Sequence, residues 1–213
     1  MKITPTKNCM VRWQTSRLEP FSKSKIMLWI MSSADEKDGL SFPLTAGEPL
    51  YILAPFVPTP QDVVERMLQL AEVTSQDLVY DLGCGDGRII ITAARKYGAR
   101  GVGVDIEPYR VTESQSNAKK CGVEHLVTFS LQDAMTVDLS PATVVLLYLV
   151  HWSTSKLQQI IKRQVKPGTR IVSHSFGMGN WTPLKTEKFT DASGKDRTLY
   201  LWLVDDSIRP EGS

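Results

Sequence analysis

The chain has 213 residues, 42% of them apolar and 23% charged, with a formal net charge of +2. That length suits one domain, with room for an extension, and a core that folds without staples. So small a charge gives little reason to expect nucleic-acid binding, and no stretch approaches the roughly 18 apolar residues of a membrane span. Cys9, Cys84 and Cys121 lie far apart and show no metal-ligand spacing or disulfide framework, so a reducing compartment is the simplest expectation.

The N-terminal segment is basic: Lys2, Lys7, Arg12, Arg17, Lys23 and Lys25 stand against the single acid Glu19. A poorly ordered tail or an overlong start, with Met27 and Met31 as alternatives, is the simpler reading, and an organelle-targeting segment is the other. The expected compartment is therefore the cytoplasm, with the mitochondrion as alternative. Residues 1–45 are read as an N-terminal extension and 46–213 as the folded domain. Residues 32–60, rich in Ser, Asp, Gly and Pro, read as the lead-in. "TPQDVVERMLQLAEV" then predicts a helix in which Thr59 caps, Pro60 takes the first position and Asp62 the third. Val63, Met67, Leu70 and Ala71 recur at helical spacing and mark its buried face.

Beyond it, apolar β-branched runs alternate with helical ones. "LVYDL" (78–82), "GVGVD" (101–105), "LVTFS" (126–130), "TVVLLYLV" (143–150) and "TRIVSHSF" (169–176) read as strands. "GRIIITAARKYG", a segment over about 107–120 and "TSKLQQIIKRQV" read as the helices between them. "LKTEKFT" (184–190), the turn "DASGKD" and "RTLYLWLV" (197–204) read as a hairpin. The fold class is α/β: a doubly wound, mostly parallel seven-stranded sheet finished by an antiparallel C-terminal hairpin strand.

In such a sheet ligands bind beyond the carboxyl ends of the strands. There the chain places "YDLGCGDG" (80–87), with Asp81 before the glycines and Asp86 among them, and Asp105 ends the next strand. An acid at the second strand end commonly bonds ribose hydroxyls, so a nucleoside is expected. Arg88 stands where a dinucleotide-binding turn needs its third glycine. Asp81 and Asp86 would each repel a pyrophosphate by a few kcal/mol at about 5 Å, but would attract a ligand carrying an ammonium and a sulfonium.

"VYDLGCGDGRI", "GVGVDIEP" and "FSLQDA" resemble, in order and spacing, the cofactor motifs of class I S-adenosylmethionine-dependent methyltransferases, over about residues 55–205. The resemblance implies a Rossmann-like methyltransferase fold and S-adenosyl-L-methionine as cofactor. It implies that Asp81 reaches the methionine ammonium, that Gly83, Gly85 and Gly87 let the backbone close over the cofactor, and that Asp105 binds the ribose. Ile106 would lie against the adenine, and Asp133, with Ala134 beside it, would accept from the adenine amino group. "PFVPTPQDVVERML" and "PGTRIVSHSFGMGNW" resemble, more narrowly, a bacterial group related to mitochondrial protein-lysine methyltransferases, those that modify the ATP synthase c-ring protein and the adenine nucleotide carrier. That likeness implies a protein lysine as acceptor. The alternatives are a small-molecule acceptor or a non-catalytic cofactor-binding protein.

The chain departs from that narrower pattern at "LYLVHWS", where His151 and Trp152 follow the fourth strand. His151 is a candidate proton acceptor, with Trp152 and Tyr148 as an aromatic wall for the acceptor. His174 is a further candidate for substrate contact; His125 is expected to be solvated, and Cys84 to be a small packing residue. Lys162, Arg163, Lys166 and Arg170 read as a solvated basic face. No Asn/Asp-Pro-Pro-aromatic motif follows the fourth strand, which disfavours nucleic-acid base methylation, and no metal site or catalytic triad competes. Oligomeric state is not legible.

Overall fold

The computed structural model describes residues 41–42, 50–51 and 56–205. Two short strands, β1 (Ser41–Phe42) and β2 (Leu50–Tyr51), pair antiparallel. The rest of the expected extension lies outside the described residues.

The domain opens with α1 (Gln61–Leu70), which buries Val63, Val64, Met67, Leu68 and Leu70 as the apolar spacing predicts. Its start differs from expectation. Pro60 takes the capping position, and no side chain caps the helix. Thr59 is buried, and its carbonyl accepts from Arg88 Nη1 at 2.7 Å. The helix starts one residue later than expected, and the Thr59 carbonyl is tied to Arg88 across the chain.

Four parallel connections follow: β3 (Leu78–Leu82), α2 (Arg88–Tyr97), β4 (Arg100–Asp105), α3 (Pro108–Lys120), β5 (Val127–Leu131), β6 (Val144–Leu147), α4 (His151–Gln164) and β7 (Arg170–His174). The hairpin β8 (Lys185–Thr190) and β9 (Asp196–Leu203) completes the chain. The strand order is β5-β4-β3-β6-β7-β9-β8, parallel up to β7 and antiparallel on both sides of β9. The hairpin's second strand thus inserts beside β7 and leaves the polar β8 at the edge. This follows from composition: Leu199 and Trp202 on β9 are buried, while β8 alternates exposed and half-buried residues.

Alternate strand residues feed two cores. Val79, Val144, Leu146, Val172 and Leu199 face α1, α2 and α3. Tyr80, Leu82, Val145, Leu147, Ile171 and Trp202 face α4 with Leu157 and Ile161. β6 is buried at every position, which is why its sequence is an unbroken apolar run. It is shorter than expected, ending at Leu147, and α4 begins at His151. Tyr148, Leu149 and Val150 are thereby freed as a loop at the carboxyl edge.

Two minor expectations change. Arg170 is no solvated cation: it pairs with Asp77 and donates to the Ala71 carbonyl at 2.8 Å, tying β7 to the end of α1. Cys84 is a free buried thiol, but Cys121 is disulfide-bonded, which the cysteine spacing did not announce. No helix among the described residues is long and apolar enough to cross a membrane.

Candidate active site

A cleft opens at the carboxyl ends of β3, β4 and β6. Asp81, Gly83, Cys84, Gly85, Asp86, Asp105, Ile106, Ala134, Tyr148 and Leu149 line it. The glycine turn is pinned from below: Gly83 and Cys84 N–H groups both donate to the Val104 carbonyl at 2.9 Å. Gly83 and Gly85 adopt φ of 84° and 54°, the left-handed region that side chains disfavour. A Cβ on Gly85 would also collide with the Phe56 ring.

The acids divide into two kinds. Asp81 is buried, and among the described residues no group hydrogen-bonds its carboxyl. Burial, then the charges of Asp105 and Asp86, push its pKa up to about 8. A buried, unpartnered carboxyl in a cleft suits a cationic ligand, which would restore its charge; an anion would oppose ionisation further. Asp86 is different. Its carboxylate takes Arg88 Nε at 2.9 Å and Nη2 at 2.5 Å, with both side chains buried. The expected repulsion of a pyrophosphate by Asp86 is therefore neutralised, and Asp81, held mostly protonated by burial, favours a cation over an anion. Burial pushes the Cys84 thiol up, so it is no nucleophile.

Asp105 Oδ2 accepts from Gly85 N–H at 2.9 Å, and its Oδ1 from Glu107 N–H at 3.0 Å. It holds the glycine turn against β4 as well as facing the cleft. Asp105→Ala is therefore expected to cost about 1–3 kcal/mol of fold stability for the stranded Gly85 N–H. It is also expected to weaken S-adenosylhomocysteine binding at least tenfold in calorimetry, since a charged acceptor is lost. The sequence alone suggested no stability effect.

Two expected cofactor residues stand back from the cleft lining. Gly87, at φ 80°, is the left-handed start of α2, and a Cβ there would fall 2.8 Å from Phe129 and Ser114. Its role in this structure is close packing. Asp133 accepts from Met135 N–H at 2.9 Å and caps the short 3-10 turn Ala134–Thr136, while Gln132 and Ala134 line the cleft. His151 and Trp152 open α4 at the carboxyl edge, but their side chains lie outside the described residues. His125 is exposed.

Several lining residues went unread in the sequence. Phe56, Val57, Pro58 and Thr59 cross the cleft, and the Arg110 guanidinium stacks 3.5 Å over the Phe56 ring. "PFVPTP" carried a signal through its family likeness, whereas nothing local marked Arg110.

A cleft at the β3/β6 switch point, a strand order ending in an inserted antiparallel strand, and a buried unpaired acid in that cleft fit a class I S-adenosylmethionine-dependent methyltransferase. The family described as the ANTKMT methyltransferase domain matches residues 81–185. A protein-lysine N-methyltransferase of Saccharolobus islandicus is 42% identical over 151 residues, covering 70% of this chain and 93% of that protein. The chain belongs to this methyltransferase family. The mouse adenine nucleotide translocase lysine N-methyltransferase is 29% identical over 158 residues, or 74% of this chain, and the match covers 65% of the mouse protein. A crystal structure described as an RNA methyltransferase from Salinibacter ruber, in complex with S-adenosyl-L-homocysteine, is 49% identical with a TM-score of 0.67. It covers 73% of this chain and 98% of that one.

Proposed function

We propose that the enzyme methylates a lysine amine of a protein substrate. The likeness that carries this reading is the Saccharolobus islandicus protein-lysine N-methyltransferase, matched over nearly its whole length. Bound S-adenosylmethionine supplies a methyl group on a sulfonium, which the acceptor displaces in line. The chain's own residues bind, orient and exclude water. In this reading Asp81 meets the methionine ammonium and Asp105 the ribose diol. Gly83 and Gly85 leave room for the backbone approach, and Ile106 and Ala134 flank the adenine, with Asp133 as its acceptor.

The acceptor amine sets its own requirement. A free lysine has a pKa near 10.4, so roughly one molecule in a few thousand is nucleophilic at pH 7. Desolvation against an aromatic wall lowers that value, and such a wall also suits the cationic methylated product. Tyr148 is half-buried and lines the cleft, which supports its place in that wall. Trp152 joins it, and His151 at the start of α4 takes the proton.

RNA is the second reading, favoured by the description of the Salinibacter ruber structure. Lysate from a strain lacking the enzyme, incubated with the purified protein and methyl-labelled cofactor, separates the two. Label that resists ribonuclease, is released by protease and elutes as methyl-lysine after acid hydrolysis is the expected result. Ribonuclease-sensitive or low-molecular-weight label would replace lysine as the acceptor.

A further inference from the structure

The glycine turn carries an aromatic cover that lies outside the three cofactor motifs. Phe56 reaches the cleft from the segment before α1, and its ring rests on the turn. A Cβ on Gly85 would collide with Cδ2 and Cε2 of that ring. The Gly85 N–H is the one that Asp105 Oδ2 accepts at 2.9 Å, so the ring sits on the Asp105 side of the cleft. Phe56 is half-buried and belongs to neither apolar core, so sheet packing does not require it there. Nor does the turn, which Gly83 and Cys84 already tie to the Val104 carbonyl.

Two arginines hold the segment, one at each end. Arg110, on α3, places Cζ 3.5 Å from the centroid of the Phe56 ring. Its Nη1 donates to Glu113 Oε2 at 2.8 Å, while Glu107 Oε2 stands 3.8 Å from Nε, beyond hydrogen-bond reach. Nε is buried without a hydrogen-bond partner, which costs stability. The guanidinium meets an aromatic face instead, a contact that its planar shape allows. At the other end Arg88 Nη1 donates to the Thr59 carbonyl at 2.7 Å, and Arg88 is itself paired with buried Asp86. Pro58 and Pro60 stiffen the short span between them and α1. Moving the ring off the turn means breaking the Arg110 stack.

We propose that Phe56 is a cofactor-binding residue that closes over the nucleoside half of S-adenosylmethionine, and that Arg110 is the positioning residue that holds its ring there. This rests on the placement of the ribose at Asp105 and holds for either methyl acceptor. An aromatic surface over the nucleoside removes apolar area from water and shields the bonds to the ribose acid. The nucleoside is common to S-adenosylmethionine and S-adenosylhomocysteine, so the cover holds both alike. Its opening is then a step of product release.

The test reads S-adenosylhomocysteine binding by calorimetry and stopped flow, and adenosine by its displacement of labelled S-adenosylhomocysteine, all on the full chain. Phe56→Ala is expected to weaken both ligands by the same factor, roughly tenfold, the size of one lost apolar ring contact. Release of S-adenosylhomocysteine should quicken by at least that factor, because taking a cover away does not slow entry. An affinity loss carried by slower association would make Phe56 a support of the turn and overturn the cover. Phe56→Tyr keeps the ring and should bind within about twofold of the parent. Arg110→Met should weaken both ligands about threefold. The double variant should bind no more weakly than Phe56→Ala, because Arg110 acts through the ring. Losses that multiply would overturn the positioning role. Thermal unfolding is read for each variant, and if Phe56→Ala does not fold, Phe56→Leu takes its place and is read the same way. Asp105→Ala, run beside them, separates the cover from the ribose placement. Adenosine weakened by Asp105→Ala but not by Phe56→Ala overturns the cover alone; adenosine weakened by neither overturns both.

Discussion

Arg88→Met is expected to lower the unfolding free energy by about 3–5 kcal/mol, because it leaves a buried carboxylate without its partner. The Arg88 and Asp86 side chains are 8% and 6% exposed, so water cannot replace the lost guanidinium. The same guanidinium donates to the Thr59 carbonyl, and Asn117 Nδ2 donates to the Asp86 carbonyl at 3.1 Å. The pair therefore ties the entry to α1, the glycine turn and α3 into one unit. Lysine cannot substitute, since its single ammonium lacks the fork that spans two carboxylate oxygens and a carbonyl. Urea unfolding is the measurement, with the double variant Asp86→Asn/Arg88→Met as control. The double variant should recover part of the loss, because it removes the uncompensated charge with its partner. A single-variant loss below about 1 kcal/mol would show that the pair is dispensable.

Cofactor binding near neutral pH is expected to release close to one proton from Asp81. With its pKa raised to about 8 by burial and by Asp105 and Asp86, the carboxyl of the free enzyme is mostly protonated at pH 7. A methionine ammonium placed against it favours the ionised form. The release is then about 0.9 proton per cofactor at pH 7. Calorimetry in two buffers of different ionisation enthalpy reads that number directly, and Asp81→Asn should abolish it. No net release in the parent would remove Asp81 from contact with the ammonium. The free enzyme's stability carries the same signature. A carboxyl whose folded pKa is raised contributes fully below its ordinary value of 3.8, and its contribution fades as pH climbs towards and through about 8. The melting temperature of the free protein should therefore fall between pH 5 and 9 by more than that of Asp81→Asn.

Much of the scaffold was legible in the residues because parallel strands buried on both faces must be apolar along their whole length. "LVYDL" marked β3 residue for residue, and "TVVLLYLV" located β6 if not its end. Asp81, Gly83, Gly85 and Asp105 were legible for a related reason: a close turn after one strand and an acid after the next are local features, and the topology brings strand ends together. Tertiary structure alone decided what depends on partners distant in sequence. Asp86 read as a free charge until burial beneath the α1 entry paired it with Arg88. Thr59 read as a helix cap, but the helix starts at Gln61 with Pro60 at the capping position, and the Thr59 carbonyl takes that same arginine. Phe56 and Arg110 had no shared signal, yet they stack at the cleft. Tyr148 and His174 come from the ends of two different strands, and their rings stack only because β6 pairs with β7. Apolar periodicity and turn chemistry act over a few residues and so can be read along the chain. Which buried charge meets which depends on how distant segments pack, because burial is what makes an unpaired charge too costly to keep.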